Sequence, residues 1–157
     1  MIKFCVEQWD KNKEKLEKHL SKRTDLNDCE YRLLVELVVE YIFNDNEYFD
    51  CKFNKNKITC IDNGDYQGTL LYLIPRDTYQ PSEYEYLMTY VEYGSCSGCD
   101  TLQSIQIWSM EDNHLTPKQL RLFMALCKDI VINTIKPYNT GWKHDERFDV
   151  VEVEVDA

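Results

Sequence analysis

Thr69-Leu70-Leu71-Tyr72-Leu73-Ile74-Pro75, followed after a short loop by Tyr84-Glu85-Tyr86-Leu87-Met88-Thr89-Tyr90-Val91-Glu92-Tyr93-Gly94, decides the fold. The first run is apolar and short, as a buried strand requires. The second is rich in tyrosine, threonine and valine, residues that fill a pleated surface, and Gly94 ends it. Pro75 and Pro81 bracket the loop between them. Upstream, a two-residue turn at Lys55-Asn56 would put Cys51, Phe53, Ile58 and Cys60 on one sheet face and Asp50, Lys52, Lys57 and Thr59 on the other. That separation predicts a hairpin within residues 48–61 with Cys51 opposite Cys60. Asn63-Gly64-Asp65 turns the chain into the Thr69 strand, so the reading is a four-stranded antiparallel meander.

Helical patterns lie on both sides of it. Residues 9–21 are rich in lysine and glutamate with apolar anchors only at Trp9, Leu16 and Leu20, which predicts a solvated, peripheral helix. From Asp25, a good N-cap, Leu26, Leu33, Leu34, Leu37, Val38, Tyr41 and Ile42 recur at helical spacing until Asn44-Asp45-Asn46, which predicts a core helix. Beyond the meander, Asp100 and Gln103 frame a short helix carrying Leu102, Ile105 and Trp108. Thr116-Pro117-Lys118-Gln119 opens a second, running to about Ile135, with Leu120, Phe123, Met124, Cys127 and Val131 on its apolar face and Pro137 beyond. The expectation is an α+β fold: two N-terminal helices, about four antiparallel strands, and two C-terminal helices packed on the sheet. Residues 1–157 read as one domain, with the tail 145–157 an edge strand or a flexible end. No internal repeat or linker divides them.

The 157 residues carry 18 basic and 28 acidic side chains, a formal net charge of −10. Such a surface repels phosphate backbones and anionic lipid, which argues against direct nucleic-acid binding and a membrane role. The charge is concentrated. Between Asp25 and Asp50, Arg32 stands alone against eight acids, and between Ile61 and Asp112, Arg76 stands alone against nine. Glu30, Glu36, Glu40, Glu83, Glu85 and Glu92, with Tyr84 and Tyr86 among eleven tyrosines, are the candidate contact residues for a basic protein partner. Seven cysteines without a secretory pattern or a membrane-length apolar run point to a reducing, cytoplasmic setting and to thiols or metal ligands.

Gly94-Ser95-Cys96-Ser97-Gly98-Cys99 is the sharpest local feature. Two thiols three positions apart suit one zinc ion, a dithiol couple, or simply a tight strand-to-helix turn. For zinc, Cys60, Cys51 and His144 are the candidates for further ligands, His144 beside Asp145 in the tail. No serine–histidine–acid order, phosphate loop or zinc-protease helix is present, so the sequence makes no positive case for an enzyme.

Asp65-Tyr66-Gln67-Gly68-Thr69-Leu70 together with Tyr93-Gly94-Ser95-Cys96-Ser97-Gly98-Cys99-Asp100-Thr101-Leu102-Gln103 resembles a family of small bacteriophage proteins sharing a GDYQGT-like strand entry and a YGSCSGCDTLQ loop. The likeness spans residues 64–135 and implies a phage-encoded product of the host cytoplasm, in a family without a settled activity. The small, acidic, lysine- and asparagine-rich chain also resembles phage inhibitors of host defence, which implies a metal-binding anti-CRISPR protein acting on a type II effector nuclease. The strand, cysteine loop and helix opening at Thr101-Leu102 are in addition similar to the iron–sulfur scaffold domain of NifU-like proteins. There the implied cofactor is an iron–sulfur cluster, although Asp100 stands where that family usually has proline.

Overall fold

The computed structural model describes residues 1–49, 51–106 and 114–136. They form a mixed α+β fold in which helices cover one face of a three-stranded antiparallel sheet. Helix α1 spans Ile2–Lys22, α2 spans Tyr31–Val38 and runs on as a π-helical turn over Val39–Phe43, α3 spans Thr101–Gln106, and α4 spans Pro117–Ile132. Strands β1 (Thr59–Asp62), β2 (Gly68–Pro75) and β3 (Tyr86–Tyr93) lie in sequence order. The predicted tail alternatives, Trp108 and His144 fall outside the described residues.

Alternation along β2 and β3 sorts the sheet into two faces. Tyr72, Ile74, Leu87, Thr89 and Val91 point into the core, while Leu71 and Tyr90, register partners, sit on the open face beside Ile61. Helix α4 locks onto the inner face where the Thr89 hydroxyl donates to the Ile130 carbonyl at 2.7 Å. Its start is as the sequence predicts: Thr116 and Gln119 form a reciprocal capping box with Pro117 in the first turn.

Helix α1 is central, a correction to the peripheral reading. Its buried stripe includes Phe4, Cys5, Gln8 and Asn12 as well as Trp9, Leu16 and Leu20. The polar members are inside because the π-helical turn ends α2 with carbonyls in need of donors. Gln8 Nε2 donates to the Ile42 carbonyl at 2.8 Å and to the Asp45 carbonyl at 2.7 Å, and Asn12 Nδ2 donates to Ile42 at 3.1 Å. The core helix begins at Tyr31 rather than at Asp25, whose carboxylate is held by Arg23 at 2.6 and 2.9 Å ahead of a short 3-10 turn over Leu26–Asp28.

The predicted hairpin does not form, and Cys51 does not face Cys60. Cys60 pairs with Tyr72, while Phe53 bridges Arg76. Both halves of the expected hairpin therefore run along the same edge of β2, and a 3-10 turn over Lys55–Lys57 shifts the register between them by three residues. Asn44 explains the choice. Its side chain accepts the Phe53 N–H at 2.7 Å and donates to the Phe53 carbonyl at 3.1 Å, occupying the hydrogen bonds a hairpin partner would use. Hence this stretch contributes one strand and a bridge, and the described residues hold three strands instead of four.

Candidate functional site

The register Gly68↔Tyr93 brings the two motif loops to the same end of the sheet. There the Tyr93 hydroxyl donates to Asp62 Oδ1 at 2.6 Å, and the Gly64 N–H donates to the same oxygen at 3.0 Å. These two donors hold the Asp62 carboxyl below the usual carboxylate range, and the same bond pushes the Tyr93 phenol up to about 12. Asn63 Oδ1 accepts the Thr69 N–H at 2.6 Å, and a Cβ at Gly68 would come within 2.7 Å of that oxygen. The Gly68 position is small because the loop folds back over it.

Asp100 is the anchor of the cysteine loop. Only 5% exposed, it accepts the Gly94 N–H at 2.9 Å on one oxygen, and the Gln103 N–H at 2.9 Å and the Tyr31 hydroxyl at 3.0 Å on the other. The predicted N-cap is present. Gln103, however, sends its side-chain amide to the Gly94 carbonyl at 3.2 Å, tying helix to loop. Tyr31, which the sequence reading passed over, accepts the Leu102 N–H at 3.0 Å and so joins α2 to α3. Nothing local marks it, since its partner Asp100 lies 69 positions away.

On this anchored turn Cys96 and Cys99 are exposed free thiols with sulfurs 2.8 Å apart. The Cys96 N–H donates to Cys99 Sγ at 3.2 Å, and the Cys96 thiol together with that backbone donor holds the Cys99 thiol below the ordinary cysteine value. The other thiols go the opposite way. Burial pushes Cys5 and Cys127 up to about 12 and Cys29 to about 11, and Cys60 is also raised by burial.

Beside the loop an open cleft of about 510 Å³ lies between β1, the start of α2 and α3, lined among others by Gly94, Cys60, Asp62, Glu30, Arg32 and Tyr72. Arg32 reaches from α2 to the Ile58 carbonyl at 2.6 Å, which fixes the wall. Cys60 opens into the cleft, whereas Cys51 lies by the Phe53–Arg76 bridge; Tyr72, the partner of Cys60, and Arg76, the partner of Phe53, are roughly 13 Å apart at about 3.3 Å per residue. Cys51 and Cys96 are not brought together. Among the described residues no three His, Cys, Asp or Glu side chains converge as a metal site. A tetrahedral zinc with bonds of about 2.3 Å would hold two sulfurs roughly 3.8 Å apart, wider than the loop sets them.

The six candidate acids also divide. Glu36 is paired with Arg32, Glu40 with Lys55 and Glu85 with Arg76. Glu30 lines the cleft and Glu92 stands at the same end of the sheet on its open face, while Tyr86 lies at the opposite end, roughly 20 Å along β3 from Glu92, with Glu83 and Tyr84 just ahead of it. Among the described residues no helix is long and apolar enough to cross a membrane. No family model matches the chain, and no curated protein or solved structure matches it.

Proposed function

We propose that the chain works by binding a basic protein, with the cleft end of the sheet as its contact surface, and that it is a phage-encoded inhibitor of a host defence nuclease of the type II CRISPR effector class. The observation that carries this reading is the gathering, through the Gly68↔Tyr93 register, of both motif loops at one end of the sheet, where Glu30 and Asp62 line an open cleft and Asp65 and Glu92 stand outside it, all four without an ion-pair partner among the described residues. Tyr66, 82% exposed in the same loop cluster, adds apolar area with a hydrogen-bonding tip. Surfaces that handle nucleic acid are cationic, because binding releases counterions from neutralised phosphates, and an acidic surface competes for them. The host setting comes from the resemblance to phage proteins.

Titration against a purified, guide-loaded type II nuclease tests the proposal. Cleavage should fall to zero at a fixed stoichiometry, and Glu30→Lys with Glu92→Lys should slow association about tenfold at low salt, while Glu83→Lys leaves it unchanged. Undiminished cleavage at excess protein, or equal sensitivity at both ends of the sheet, rejects it. A zinc ion at Cys96 and Cys99 would need two further ligands. Elemental analysis of protein purified without added metal discriminates here: one zinc per chain lost in a Cys96→Ser/Cys99→Ser variant restores the zinc reading, and iron with visible absorbance restores the iron–sulfur scaffold.

A further inference from the structure

We propose that Cys96 and Cys99 form a thiol–disulfide exchange pair in which Cys99 attacks a positively charged external disulfide and Cys96 resolves the adduct. Three observations point the same way. Both thiols are exposed, so a disulfide can approach in line. Their sulfurs lie 2.8 Å apart, so resolution needs little movement of the turn. The donors are asymmetric: Cys99 Sγ receives the Cys96 backbone N–H at 3.2 Å, an arrangement that stabilises negative charge on Cys99. In its neutral form the Cys99 thiol turns its hydrogen to the Cys96 carbonyl at 3.4 Å, so either protonation state is accommodated.

The loop is built to hold that sulfur in place. A Cβ at Gly94 would sit 2.7 Å from Cys99 Sγ and 2.5 Å from the Cys99 carbonyl oxygen, so Cys99 rests on the bare backbone of Gly94, which itself lines the cleft. Asp100 fixes the Gly94 N–H from below. Cys5 and Cys127 are buried and so do not compete for an external disulfide. Glu30 and Asp62 share the cleft with Arg32, whose charge is paired with Glu36, so the balance favours a cationic substrate.

The balance is that of an exchange. The Cys99 thiolate bonds to one sulfur of the external disulfide as that disulfide's S–S bond breaks, and the departing thiolate takes up the proton Cys99 released. The Cys96 thiol then loses its proton, its sulfur bonds to Cys99, and the second external thiol leaves protonated. The protein dithiol is oxidised to a disulfide and the external disulfide is reduced to two thiols. This inference does not rest on the inhibitor reading, because exchange is measured on the chain alone.

Cystamine, a dication, is the probe, with intact-mass detection and oxidised glutathione as the anionic comparison. Wild-type protein should lose two hydrogens and retain no adduct. Cys96→Ser should stop at a stable mixed disulfide on Cys99, and Cys99→Ser should react at Cys96 about tenfold more slowly or less. Cystamine should outpace oxidised glutathione at low salt, with the gap closing as salt rises. A thermal melt of each variant should show that it folds as the wild type does. Faster reaction at Cys96, two retained adducts on wild type or no reaction overturns the pair. Equal rates with both disulfides overturn the substrate assignment.

Discussion

The two ends of the sheet are built from similar residues but held by different means. At the Phe53–Arg76 end, charges cancel at the surface: Lys55 meets Glu40 at 2.7 Å, Arg76 meets Glu85 at 2.9 Å, and the neutral Asn44 amide holds the backbone. At the Gly68–Tyr93 end a buried carboxylate, Asp100, holds the backbone, and the exposed acids have no cationic partner among the described residues. An ion-paired surface has little field left to offer a partner, whereas unpaired carboxylates around an open cleft keep theirs. Net charge counted along the chain hides this difference.

The largest expected effect belongs to the core that joins the two ends and sets the reference for the loop thiols. Cys5 and Cys127 keep their protons to about pH 12 in the fold, while an unfolded cysteine releases its own above about 8.5. Folding thus retains two protons that the unfolded chain gives up, so this contribution is intact below about pH 8.5 and is lost as pH rises toward 12. Urea unfolding should show stability falling as pH rises through that window, and falling about 1.4 kcal/mol per pH unit less steeply in Cys127→Ala. A flat profile would mean that these thiols are less buried than the structure has them.

Next in size is the Asp100 anchor. Asp100→Ala strands the Gly94 N–H, the Gln103 N–H and the Tyr31 hydroxyl, and should lower stability by about 3 kcal/mol. A loss below about 1 kcal/mol would break the comparison, since the cleft end would then need no buried anchor. The smallest effect is expected at the other end. Lys55→Met removes the exposed pair with Glu40 and should change stability by under about 1 kcal/mol, measured by the same unfolding curve, and less still at high salt.

How much was legible depends on whether the signal was local. Thr116, Pro117 and Gln119 specify a helix start within four residues, and Asp100 caps α3 for the same reason, because each cap is satisfied by its own neighbours. Strands β2 and β3 follow from runs whose length and composition suit a pleated surface. The hairpin at residues 48–61 was misread because its alternation is also compatible with two segments laid along one strand, and the choice was made by Asn44 from outside the window. Helix α1 was misplaced to the surface because Gln8 and Asn12 look solvent-facing until the open carbonyls of Ile42 and Asp45 are set against them.

The sequence by itself determined the α+β class, the caps, the runs that become β2 and β3, and the cysteine loop as a turn between strand and helix, since each is encoded by residues within a turn or two of one another. Only the tertiary structure decided that Asp65-Tyr66-Gln67-Gly68 and the cysteine loop share one end of the sheet, that Cys51 lies at the other, and that half of the candidate acids are neutralised by ion pairs. Those facts rest on strand register and on side chains meeting across up to tens of positions, and register is fixed by the hydrogen-bonding and packing of partners that no single stretch of chain contains.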